Sequence, residues 1–223
     1  MFEILDAEIL GIIKLTVHMT LLSTAISSII GIPLGLWLDS VSFPGKNLVV
    51  VINRTLMASP PVVIGLVVYL LLMRQGPLGY WRLLFTFEAM VIAQVLLLTP
   101  LICGIVYTAS QRNAERIRTF AATMGANKWQ TQVLLIKELS NETFFAVITG
   151  FGRAMSEVGA IMIVGGNIRH HTRTMTTTIS LLRNRGEIDQ AIFLGAMLML
   201  IAFSVQMIAD SLIRREQRTD ENF

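Results

Sequence analysis

Apolar residues gather into five blocks, at about 10–38, 49–73, 83–108, 143–165 and 190–213. An α-helix needs about 20 apolar residues to cross the roughly 30 Å hydrocarbon core of a bilayer, so each block predicts a span. Between the third and fourth blocks, at about 110–142, the pattern changes to a mixed one with helical period. Ala114, Ile117, Phe120, Ala121 and Met124 share one helical face, while Arg112, Glu115, Arg116 and Arg118 cover the other. Gly125 predicts the end of that helix. Asn127 and Gln130 then form an approximate capping box for a second one, whose apolar stripe is Trp129, Val133 and Ile136. Ser140 and Asn141 are placed to start the fourth span, and the acidic Glu142 suits the dipole there. Such a hinged insert can lie on lipid headgroups or be gripped by the groove of a partner protein. The defined hinge and cap favour the second.

Within the first block Thr16, Thr20, Ser23 and Ser27, followed by Gly31 and Gly35, form one face of small residues. That face predicts close helix packing, with the lining of a wet pathway as the other reading. Lys14 and His18 lie one turn apart near the end of the span and can snorkel. Ser42–Asn47 is a Pro-Gly turn, and Pro60-Pro61 predicts a kink or a fresh start in the second block. Gly76-Pro77-Leu78-Gly79 closes the hairpin that follows, and Pro100 is expected to bend the third span.

Composition agrees with the pattern: of 223 residues, 53% are hydrophobic and only 15% charged. Soluble domains carry about a quarter charged residues. The expectation is a single membrane domain, 1–223, with no large soluble part and no nucleic-acid partner despite the net charge of +3. The acidic start predicts an uncleaved first span rather than a signal peptide. The lone Cys103, inside the third span, excludes an intrachain disulfide and reads as a packed thiol. With the N-terminus outside, the cytoplasmic segments hold ten basic residues: Lys46, Arg54, Arg112, Arg116, Arg118, Lys128, Lys137, Arg214, Arg215 and Arg218. The outer segments hold six: Arg74, Arg82, Arg169, Arg173, Arg183 and Arg185. That excess favours N-terminus out and C-terminus in.

Arg153 and Glu157 lie mid-span, one helical turn apart. Ionisable groups in a membrane interior are costly and face a bundle interior or water. They either pair with each other to fix packing, or Arg153 serves an anion path with Glu157 holding it. Gly152, Ser156 and Gly159 nearby suggest close helix contact. The segment 169–185 adds Arg169, Arg173, two more arginines, His170, His171 and a hydroxyl run that includes Thr176. Such a patch suits direct contact with a tetrahedral dianion, docking of an acidic protein, or a gate. No metal site is expected from the histidine spacing, and no nucleophile–base set appears in the spans.

The run TFAATMGANKWQTQVLLIKEL, residues 119–139, resembles the signature cytoplasmic loop of ABC importer permeases, which reads Glu-Ala-Ala, three residues, then Gly. Gly125 matches the glycine, Ala121 the second alanine and Trp129 a common aromatic position. Thr119 and Phe120 depart from Glu-Ala, and Lys137-Glu138 stand where Leu-Pro is usual. Residues 150–168 (GFGRAMSEVGAIMIVGGNI), SFPGK and Pro60–Val63 are similar to the molybdate, tungstate and sulfate group, and residues 166–179 to tungstate-type permeases.

The resemblance implies an all-α membrane protein of the type I importer permease kind, with five transmembrane helices and a cytoplasmic coupling-helix insert. It implies a multi-pass protein of a prokaryotic inner membrane, acting as a homodimer with a cytoplasmic ATPase dimer and an extracytoplasmic solute-binding protein. The imported solute would be tungstate, with molybdate or sulfate as the alternative. Coupling to the ATPase falls to Ala121, Ala122, Met124, Gly125, Ala126 and Trp129, and candidates for translocation or gating are Arg153, Glu157, Arg169, Arg173 and Thr176. No catalytic residue and no directly bound cofactor are expected. The sequence holds no G-x-x-x-x-G-K-[ST] loop, so ATP would be used by the partner. An ion-coupled carrier or channel is the rival from another class. It would need no ATPase, and the internal repeats common in carriers are not evident.

Overall fold

The structure, a computed structural model, describes the backbone of residues 2–220 and the side chains of 8–208 and 211, except 128 and 132. The basic side chains of Lys128, Arg214, Arg215 and Arg218 lie outside those described. The regular elements are helical. Helix α1 (Phe2–Ser40) has 39 residues, about 58 Å at 1.5 Å per residue. Its small-residue face is buried as its spacing predicts, with Thr16, Thr20, Ser23 and Ser27 all inside. A Cβ on Gly31 would lie 3.1 Å from the Thr99 carbonyl oxygen, and one on Gly35 2.7 Å from that of Cys103. Bare backbone thus lets α1 and the third span meet at van der Waals distance, which is what drives helix association in lipid.

The second block is not one continuous helix, and it breaks at the expected proline pair. Helices α2 (Lys46–Met57) and α3 (Pro61–Leu72) meet at 102°. Pro60 is extended at φ −61° and ψ 128°, and Pro61 opens α3. Neither proline has an N–H to continue α2, whereas a proline is well placed at the first position of α3. The third block and the first half of the insert are, by contrast, a single helix, α4 (Phe87–Thr123), of 37 residues. The expected pair of surface helices is therefore the projecting end of a span plus one short helix, α5 (Lys128–Glu138). Between Pro100 and Gly125 the sequence offers α4 no glycine but Gly104 and no second proline, so nothing forces a stop.

The fourth block is also broken, against expectation. Helices α6 (Ser140–Met155) and α7 (Gly159–Gly165) are bent by 59° about residues 156–158. Helix α8 (Met175–Arg185) ends at Gly186, whose φ of +80° suits glycine, and α9 (Ile188–Asp220) completes the fold. Among the described residues three helical stretches are long and apolar enough to cross a membrane, Glu8–Ser40, Phe87–Thr123 and Ile188–Ile208, or up to five if each bent pair counts as one span. Met19, Val68, Met90, Ile161 and Val164 bring α1, α3, α4 and α7 together in the main core. Gly65 of α3 faces Ala160 of α7 so closely that a Cβ would lie 2.6 Å from its Cα.

Candidate functional site

The tip formed by the end of α4, Gly125 and α5 is built by local hydrogen bonds. Gly125 takes φ +72°, and the Ala126 N–H returns to the Ala121 carbonyl at 2.9 Å, closing α4. The Asn127 side chain accepts from the Gln130 N–H at 2.9 Å, and the Gln130 side chain accepts from the Asn127 N–H at 2.9 Å, the expected capping box. The predicted apolar face of α4 divides in two. Ala114, Ile117 and Ala121 are buried, and the first two cluster with Leu135 and Leu139 at α5. Phe120 and Met124 point away and are exposed, as are Trp129 (76%), Val133 and Ile136. Of the six coupling candidates Ala121 is buried, Ala126 half-buried, and Ala122, Met124, Gly125 and Trp129 exposed. The tip therefore displays a cluster of large apolar side chains that the fold itself does not use.

Two polar ties hold this arm to the bundle. Arg118 Nη2 donates to Asp39 Oδ2 at 2.7 Å, and Ser110 Oγ donates to the same oxygen at 2.9 Å. Asn113 Nδ2 donates to Glu142 Oε1 on α6 at 3.3 Å. Asp39 was missed by sequence reasoning. The available signal was an acid in the last turn of α1, where the helix dipole disfavours one.

The break between α6 and α7 separates Arg153 from Glu157. The expected i,i+4 pair does not form, because that spacing places two side chains together only in a continuous helix. Glu157 is instead buried, with Oε1 accepting from the Ala160 N–H at 3.1 Å at the start of α7. Its carbonyl accepts from Thr176 Oγ1 at 2.8 Å. Arg153 is exposed and has no ion pair among the described residues. Gln94, which sequence reasoning also missed, donates to the Ala154 carbonyl at 3.0 Å while accepting from Ser23 Oγ at 2.5 Å. It thus shares the Ala154 carbonyl with the Glu157 N–H (3.3 Å) at the point where the α-helical ladder is interrupted. Gly152 meets nothing within 4 Å, contrary to the expected close contact, whereas a Cβ on Gly159 would lie 2.6 Å from Val62 Cγ2.

Arg169 and Arg173 are not free cations. Arg169 donates through Nε (2.9 Å) and Nη2 (2.5 Å) to the Glu8 carboxylate, and Arg173 Nη1 reaches the same group at 3.4 Å. The bond to Glu8 raises the pKa of Arg169 above its ordinary value. The expected hydroxyl patch is largely turned inward. Thr172, Thr174, Thr176, Thr177 and Thr178 are buried. Thr172 donates to the Gly165 carbonyl at 2.5 Å, Thr174 and Thr177 form the capping box of α8, and Thr16 of α1 accepts from the Met175 N–H at 2.9 Å. A cavity of about 630 Å³ beside them is lined by Arg169, Arg173 and Arg185, and equally by Glu8, Glu187 and Asp189. Its balanced charge is a poor trap for a dianion. His170 and His171 are exposed, and no group of metal-ligating side chains occurs among the described residues.

A family model described as the binding-protein-dependent transport system inner membrane component matches residues 31–218. The chain belongs to this family. The tungstate uptake system permease protein of Peptoclostridium acidaminophilum is 44% identical over 207 residues, covering 93% of this chain and 91% of the relative. The probable anion ABC transporter permease protein of Haloferax volcanii is 35% identical, covering 93% of each. An amino acid ABC transporter solved with histidines shares the fold, with a TM-score of 0.69 over 96% of both chains at 14% identity. The permease is thus a multi-pass inner-membrane protein with the type I importer fold, a transport subunit of a kind that works with an ATPase and a solute-binding protein.

In this permease Arg153 carries an exposed charge that no ion pair among the described residues uses. Arg153→Gln is expected to leave the thermal midpoint within about 1 °C of wild type, since exposed substitutions change stability by about 0.5 kcal/mol or less. Uptake is expected to fall about tenfold if the guanidinium meets the transported anion, as loss of one charge-assisted contact would dictate. Unchanged uptake with an unchanged midpoint would remove Arg153 from the path.

Proposed function

We propose that this permease imports tungstate as a homodimer, driven by a cytoplasmic ATPase dimer and supplied by an extracytoplasmic solute-binding protein. The observation that carries the reading is the exposed apolar tip around Gly125 and Trp129, held at the end of a helix that continues into the core. Residues 112–139 lie in the cytoplasm, the N-terminus outside, and the tip docks in a groove of the ATPase. Closure of the ATPase dimer displaces the tip. Because α4 is one helix from the tip to Gln94, that displacement reaches the break between α6 and α7 as rigid-body motion. Arg153, exposed beside the break, is the residue proposed to meet the anion, with Glu157 and Thr176 fixing the break. Arg169 and Arg173 hold the α7–α8 turn through Glu8 and so belong to gating rather than to anion capture. The permease binds no cofactor itself, and ATP acts on the partner. The tungstate assignment is supported by the 44% identical relative.

Proteoliposomes holding the permease and its ATPase, with the binding protein added outside, test this. Tungstate is expected to accumulate against its gradient only with ATP inside, and in preference to molybdate and sulfate. Uphill uptake without the ATPase would sink the reading. Preference for molybdate or sulfate would correct the solute alone.

A further inference from the structure

Helix α4 has 37 residues, and about 20 suffice to cross the hydrocarbon core. Its last turns therefore form, with α5, an arm beyond the apolar layer. Helix α5 packs on the arm itself, through Leu135 and the adjoining Leu139 against Ala114 and Ile117, and with a single edge residue of α1, Leu36, beside this cluster. A lever passes displacement inward only if it cannot bend where it leaves the bundle.

At that level α1 ends, and Asp39 faces the arm with a side chain only 7% exposed. One carboxylate oxygen accepts from Ser110 at 2.9 Å and from Arg118 at 2.7 Å, two groups about two turns apart on one face of α4. Lys46 of α2 donates to the Asp39 carbonyl at 3.3 Å, so three elements converge there. An acid in the last turn of a helix opposes the dipole, a cost that the bonds Asp39 makes to the arm offset, with the Lys46 ammonium beside the same helix end.

We propose that Asp39 is a positioning residue for energy coupling: it clamps the α4 arm to α1, so that motion imposed on the tip enters the bundle instead of bending the arm. This rests on the docking reading above. Two measurements separate the two ideas. Amide hydrogen exchange of residues 111–139 in the permease alone, without ATPase, is expected to quicken about tenfold in Asp39→Asn and Asp39→Ala, as loss of a charged hydrogen bond would give. In the reconstituted complex, solute moved per ATP hydrolysed is expected to fall about tenfold while hydrolysis persists, by the same loss. The exchange pair Asp39→Arg with Arg118→Asp is expected to recover part of both. Unchanged exchange in both single variants, or a wild-type transport ratio in Asp39→Ala despite a loosened arm, would overturn the proposal. A wild-type complex without ATP-driven uptake would sink the docking reading, while exchange would still decide whether Asp39 clamps the arm.

Discussion

Gly35→Leu is expected to prevent stable assembly of the bundle. A Cβ at this position would lie 2.7 Å from the Cys103 carbonyl oxygen and 3.1 Å from the Tyr107 nitrogen. Both are backbone atoms of α4, so no rotamer change can clear them, and α1 must move away as a whole. Separation strips dispersion contact from the entire small-residue face, through Gly31, Ser27 and Ser23. Overpacking of this kind costs about 3 kcal/mol or more where backbone must shift. In detergent the variant should show a thermal midpoint many degrees below wild type, or should fail to accumulate in membranes. Gly152→Ala is the control: its position opens onto nothing within 4 Å, and a change of about 0.5 kcal/mol or less is expected there. A wild-type midpoint for Gly35→Leu would contradict the α1–α4 contact itself.

The second large effect is functional and leaves the fold alone. Trp129 is 76% exposed, and a Cβ added to Gly125 would meet nothing within 4 Å. Trp129→Ala should therefore be nearly neutral for stability. A tryptophan at the centre of an interface typically carries about 2 kcal/mol or more, which is roughly a 30-fold loss of affinity. Gly125→Asp adds a charge to an apolar tip and forces a non-glycine residue to hold φ +72°, a local strain of about 1 kcal/mol. Both variants should insert normally, bind the ATPase weakly in nanodiscs, and lose ATP-driven uptake. Affinity and uptake at wild-type levels in both would reject the docking assignment.

Features that depend on near neighbours in the chain were legible beforehand. Asn127 and Gln130 cap each other across three residues, Gly125 stops a helix through its own φ, and Pro60-Pro61 breaks one through missing N–H groups. The small-residue face of α1 was legible because helical periodicity brings Thr16, Thr20, Ser23 and Ser27 into one line wherever the helix forms. The pairing of Arg153 with Glu157 failed for a related reason. It assumed a continuous helix, and residues 156–158 interrupt it with no proline to announce the break. The threonine run misled because composition marks hydroxyls as polar, while Thr172, Thr174 and Thr177 spend theirs on turns and caps that bury them.

By itself, then, the chain determined its apolar blocks, its caps and the hinge of its tip, since each follows from backbone bonds and periodicity within a few residues. Only the tertiary structure decided which charged and polar side chains meet. Glu8 finds Arg169 at a separation of 161 residues, Ser23 finds Gln94 at 71, and Asp39 finds Arg118 at 79. Those partnerships arise because helices far apart in sequence are packed side by side, and a carboxylate turned into such a contact must take whichever donor the crossing places within reach.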